Sequence, residues 1–147
     1  MDEKATTEIA KAIAADCLAM RVRFVNRVIT NLYERALKPL DIKISQASIL
    51  VLLSVRGPSS PAEVGRTLHM EKSTVSRNVG RMQKKGWLQV TGTDDSPLQV
   101  IQVTPKGRKL LAACHSGWTK AQDAARQLLG REGVASVHKL YNTLHTK

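Results

Sequence analysis

The chain has 147 residues, with 23 Lys and Arg against 12 Asp and Glu, for a formal net charge of +11. That length holds one domain with long helical extensions but not two full cores. Hydrophobic residues at 42% permit a core, while aromatics at 3% exclude recognition by bases stacked on rings, and two cysteines exclude a disulfide-dense scaffold and a four-cysteine zinc site.

Residues 8–37 read as one long helix, because Ile9, Ile13, Cys17, Met20, Phe24, Val28, Leu32 and Ala36 recur every three or four positions. Such a helix is roughly 45 Å long, more than a small domain is wide, so part of its apolar face needs a second subunit or helical layer. Pro39 stops it. Ser45 is expected to cap the next helix, whose run Ala47, Ile49, Leu50, Val51, Leu52, Leu53, Val55 is apolar nearly all round and predicts a buried central helix. Gly57-Pro58 ends that helix.

Ser60-Pro61-Ala62-Glu63 is a compact helix start, with Ser60 as N-cap, Pro61 at the first helical position and Glu63 completing a capping box. This helix is short and stops near His69. After Met70-Glu71, residues 72–85 form another helix with Val75, Val79 and Met82 inward, ended by Gly86 at the C′ position. Over 87–103 the period changes to two, and Gly92-Thr93-Asp94-Asp95-Ser96-Pro97 supplies a turn, so a β-hairpin is expected. Thr104-Pro105 opens a long helix that Gly130 closes, and a last helix covers about 132–145.

The charge is uneven. Residues 56–110 carry 10 basic and 4 acidic side chains, against 8 and 6 in 1–55 and 5 and 2 in 111–147. Lys72, Arg77, Arg81, Lys84 and Lys85 crowd one helix that holds no acid, which points to a phosphate footprint and a polyanionic partner. A buried helix, a short capped helix, a brief turn, a basic polar-faced helix and a hairpin follow one another, the order of a winged helix-turn-helix. The fold class expected is therefore mainly α with a small β-hairpin wing. In such a pair the second helix lies in the DNA major groove. Ser73, Thr74 and Ser76 offer hydroxyls for phosphates or bases, Arg77 a guanidinium for guanine and Asn78 an amide for adenine, with Lys72, Arg81 and Lys84 beside them.

The sequence resembles the MarR family of bacterial transcription regulators over nearly its whole length. The resemblance rests on Leu40-Asp41-Ile42-Lys43-Ile44-Ser45-Gln46, on Ser73-Thr74-Val75-Ser76-Arg77-Asn78-Val79, on Lys85-Gly86-Trp87-Leu88 and on Val103-Thr104-Pro105-Lys106-Gly107. It implies a single MarR-like domain over 1–147, with a DNA-binding region at 40–106 and helical dimerisation regions at 8–38 and 107–147. It further implies a homodimer that reads a palindromic operator in double-stranded DNA, usually as a repressor, and in many members release by a small ligand or an oxidant. The family wing, here with Thr93 and Asp95, usually carries Asp-x-Arg near its tip; this chain has Asp95-Ser96-Pro97, so Pro97 stands where the minor-groove Arg would be.

Arg23 and Arg27, four residues apart, would anchor an aromatic or acidic effector in a cleft lined by Phe24, Val28, Leu53 and Trp118, or else are solvated or pair with acids across a dimer. Cys17 would serve a redox-sensing regulator if exposed and electropositive, but its apolar series assigns it to small buried packing, as with Cys114. The four histidines form no metal motif, no cofactor is expected, and no nucleophile elbow or phosphate loop suggests an enzyme. No apolar run reaches about 18 residues, and Met1-Asp2-Glu3-Lys4 does not begin a signal peptide, so a cytoplasmic protein without a membrane partner is expected. A largely non-specific architectural DNA binder is the competing function, favoured by the charge and by Pro97.

Overall fold

A computed structural model of the protein describes residues 2–92 and 98–146. The helix expected over 8–37 is two: α1 (Glu3–Asp16) and α2 (Leu18–Leu37). The break falls at Cys17, which has an extended ψ of 108° while its N–H still closes α1 on the Ile13 carbonyl. The guanidinium of Arg21 reaches back to the Ala15 carbonyl, one of the acceptors a helix end leaves open. No residue of α1 is buried, so within one protomer no packing holds it in line with α2.

A single 3₁₀ turn (Lys38–Leu40) follows, then Asp41 in the left-handed region at φ 52°, then α3 (Ile44–Arg56). The cap of α3 is Lys43 rather than Ser45, which lies inside the first turn. The Gln46 side chain accepts from the Lys43 N–H at 3.1 Å, and the Glu34 carboxylate of α2 accepts from the Ile44 N–H at 2.9 Å, so two orphan donors are satisfied without a serine cap. Ile49, Leu50 and Leu53 of α3 are buried, but Val51 and Val55 stay 48% and 82% exposed. The all-round apolar run is thus covered on one side only.

α4 (Pro61–Leu68) starts as expected: Ser60 Oγ accepts from the Glu63 N–H at 3.2 Å, and the Glu63 carboxylate accepts from the Ser60 N–H at 2.7 Å. His69 turns the chain at φ 50°, and α5 (Lys72–Lys84) follows. Gly86, at φ 76°, closes α5 with the paired bonds of a Schellman end, its N–H to the Gln83 carbonyl and that of Trp87 to the Met82 carbonyl, both 2.9 Å. The strands β1 (Leu88–Thr91) and β2 (Val100–Val103) pair antiparallel, Leu88 opposite Val103 and Thr91 opposite Val100. Ser59 bridges Ile101 through two backbone bonds and fastens this wing to the end of α3. α6 (Pro105–His145) begins with Thr104 capping the Gly107 N–H at 3.1 Å and bends at Gly130, whose φ 68° and ψ 175° only glycine takes readily.

The core is one cluster. Leu37, Ile42, Ile49, Leu50, Leu53, Val64, Val75, Met82, Trp87, Leu88, Ile101 and Cys114 bring α2, α3, α4, α5, the wing and α6 onto a single apolar centre. It fixes the wing and α5 against α3, so the basic helix is held rigidly with its other face outward.

Candidate nucleic-acid interface

Of the residues expected to meet DNA, Lys72, Ser73, Ser76, Arg77, Arg81 and Lys84 are exposed and Thr74 is half-buried. They lie on the face of α5 opposite Val75, Val79 and Met82, which are buried. Arg77 is steadied by the Thr74 hydroxyl at 3.5 Å. Lys72, Arg77, Arg81 and Lys84 pair with no acid among the described residues. Their field is unneutralised and open to an anion.

Asn78 departs from this group. Only 9% of it is exposed, because it shares the inward side of α5 with Val75 and Val79. In this fold it sits on the packing face rather than on the exposed cationic one. Lys85, the fifth cation of the run, is also distinct: its ammonium lies 2.5 Å from the Asp41 carboxylate and 4.5 Å from the Trp87 ring. The hydrogen bond from Lys85, more than its charge, holds the Asp41 carboxyl below the ordinary range. The wing residues Thr93 and Asp95, and Pro97 at the place of the usual Arg, lie outside the described residues.

The effector cleft expected from sequence does not assemble. Arg23, Phe24 and Arg27 are exposed on α2, Phe24 by 67%, while Val28 is half-buried and Leu53 is in the core. Only Trp118 lines a large cavity, about 920 Å³, between α3, the end of α4 and the two arms of α6. Val51, Leu68, Cys114, Tyr141 and His145 are among its other walls. Sequence reasoning missed it because its walls converge only once α6 folds back at Gly130. Cys114 is buried in the core, and that burial raises its thiol pKa. Cys17 is half-buried at the α1–α2 break rather than fully buried as its periodicity suggested. Burial likewise raises the Tyr33 phenol, opposed by Arg126, and its hydroxyl donates to Gln122 to tie α2 to α6.

A buried α3, the α4–turn–α5 pair with a free cationic face, and a two-stranded wing define a winged helix-turn-helix, a class that reads duplex DNA. Residues 40–95 match the model of the MarR family. The multiple antibiotic resistance protein MarR of Salmonella typhimurium is 26% identical over 140 residues, covering 93% of this chain and 95% of that one. The uncharacterized HTH-type regulator YdgG of Bacillus subtilis is 26% identical over 109 residues, 72% of each chain. A mutant MarR of Escherichia coli, solved with operator DNA, superposes with a TM-score of 0.76 at 21% identity, over 90% of this chain and 96% of that one. A probable transcriptional regulator of Pseudomonas aeruginosa gives the same TM-score at 22% identity, over 89% and 98%. The chain is thus similar to MarR-family winged-helix transcription regulators over most of its length, and residues 40–95 carry the family match. The curated relatives it matches are transcription regulators, and the winged helix-turn-helix is itself a DNA-reading architecture.

Proposed function

We propose that the protein acts as a homodimer on a palindromic operator, with α5 of each protomer in successive major grooves. The observation that carries this reading is the unpaired cationic and hydroxyl face of α5, Lys72, Ser73, Ser76, Arg77, Arg81 and Lys84, on a helix whose opposite face is locked into the core. Two such helices about one turn of duplex apart, roughly 34 Å, match half-sites related by a two-fold axis. The structural neighbour bound to operator DNA shares this fold, which supports the assignment of α5. Residues 40–106 form the DNA-binding region, and 8–38 with 107–147 form the dimer. Repression follows, because a dimer spanning successive grooves blocks access to the duplex beneath it.

A small aromatic effector completes the reading. The cavity beside α3 and α4 is mainly apolar, with Trp118 and Tyr141 on its walls, and lies next to the element that carries the recognition helix. BpsR of Bordetella bronchiseptica, a neighbour at TM-score 0.75, has its DNA binding regulated by 6-hydroxynicotinic acid. Selection from a random duplex pool tests the core of the proposal. A palindrome with half-site centres about ten base pairs apart is expected. Enrichment without a motif would replace this reading with non-specific architectural binding.

A further inference from the structure

Five cations crowd residues 72–85, and one of them is built differently. Lys85 Nζ donates to the Asp41 carboxylate at 2.5 Å and to the Asp41 carbonyl at 2.8 Å, and lies 4.5 Å from the centre of the Trp87 ring. Three contacts on one ammonium fix its position, whereas the other four cations have no acidic partner among the described residues. Both ends of the link are themselves fixed. Asp41 sits in the left-handed region at φ 52°, between Leu40 and the buried Ile42, at the turn that joins α2 to α3. Lys85 is the C-cap of α5, directly before the Gly86 turn into the wing.

We infer that Lys85 is not a DNA contact but a positioning residue, whose link to Asp41 sets the angle of α5 and the wing relative to α2. This rests on the proposed reading of α5 as the recognition helix. The link runs from the end of the long helix of the dimerisation region to the end of the helix in the groove. A second strut, Glu34 to the Ile44 N–H and to Lys43 at 3.5 Å, holds the same turn from the α2 side. Displacing α2 therefore moves Asp41, and Asp41 moves the end of α5. An exposed ion pair adds little to stability, so the effect belongs to geometry.

The signs of the expected effects separate positioning from simple attraction. Removing a phosphate contact weakens binding to all duplexes and flattens the dependence of log K on log salt by about 0.9. Removing an acid beside the DNA strengthens binding to all duplexes. Positioning predicts neither.

The test uses full-length protein, a duplex selected from a random pool by the wild type, and the unselected pool. Lys85→Met and Asp41→Asn are each expected to weaken binding to the selected duplex about fivefold, the most an exposed pair supports. Binding to the pool and the salt slope on it stay unchanged, and Lys85→Arg retains wild-type preference. Asp41→Lys, which adds positive charge near the DNA, is also expected to weaken the selected site, and Asp41→Lys with Lys85→Glu restores it. Equal weakening of pool and selected duplex by Lys85→Met with a flatter salt slope would overturn the inference and make Lys85 a phosphate contact. Tighter binding of either Asp41 variant would overturn it as well. If the wild type selects no sequence, the proposed function itself fails and this inference with it.

Discussion

Arg77 and Asn78 are neighbours on α5 with opposite expected roles. Arg77 is exposed, and one of its N–H groups donates to the Thr74 hydroxyl, which leaves its remaining donors free for a guanine edge. Arg77→Ala is expected to cost about 1–3 kcal/mol on the selected duplex and much less on random DNA, with unfolding unchanged. Asn78 is buried beside Val75 and Val79, so Asn78→Ala should lower the thermal midpoint and leave sequence preference intact. Fluorescence anisotropy on both duplexes, with thermal unfolding of both variants, checks the pair. Equal loss on both duplexes for Arg77→Ala would make it a phosphate contact, and altered preference for Asn78→Ala would return the amide to the groove. The polar type of Asn78 was plain in the sequence, but its direction was not. A helix position 3 residues after Val75 and 1 before Val79 lies at the edge of the buried face, and only the packing of α3 and α4 decides whether it is covered.

Local chemistry made the elements from α4 to the wing readable. Ser60 and Glu63 announce a helix start, Gly86 a stop, and alternation from Leu88 a strand, and each signal acts over about four residues. The α1–α2 break had no such signal: Cys17 is neither glycine nor proline, and the apolar stripe continues through it. The start of α4 also carries a pH dependence. The Ser60 N–H, and next its hydroxyl, hold the Glu63 carboxyl below the ordinary glutamate range. A folded value below the unfolded one means that the charged group favours the fold. Its contribution is complete above the ordinary glutamate value and is lost as pH falls through the lower folded value. Ser60→Ala removes the cap and is expected to cost about 1 kcal/mol at neutral pH. That gap should narrow in acid, where Glu63 is protonated in both proteins. Urea unfolding at neutral pH and below the glutamate range checks this, and a gap of constant size would remove the hydroxyl's share of the carboxylate's stabilisation, leaving that of the Ser60 N–H, which the variant keeps.

At the scale of the whole molecule, runs of exposed apolar residues lie on α1, α2 and the arm of α6 after Gly130. Ile9, Ile13, Leu18, Val22 and Phe24 are 52–75% exposed, and Leu140, Tyr141 and Leu144 are 59–63% exposed. Scattered apolar residues on a surface need no explanation, but runs along two helices mark an interaction face. The sequence pattern showed the stripe on the first helix and could not say whether its own chain or a second one covers it, since both give the same period. Among the described residues of one protomer nothing buries α1, which makes a second copy the occupant in the proposed dimer. Phe24→Glu and Leu140→Glu each place a carboxylate on one of these faces, where pairing would bury it unpartnered. The wild type is expected to sediment as a dimer and to gain thermal stability with protein concentration, as coupled association requires. Each variant should sediment as a monomer while Trp87, 6% exposed in the winged core, keeps its buried fluorescence. Such monomers keep α5 and its charge but lose the second half-site, so they should bind one half-site as the wild-type protomer does and lose the gain from two. A monomeric wild type, or variants that stay dimeric, would assign the exposed faces to some other partner and leave the two-fold operator without its symmetry.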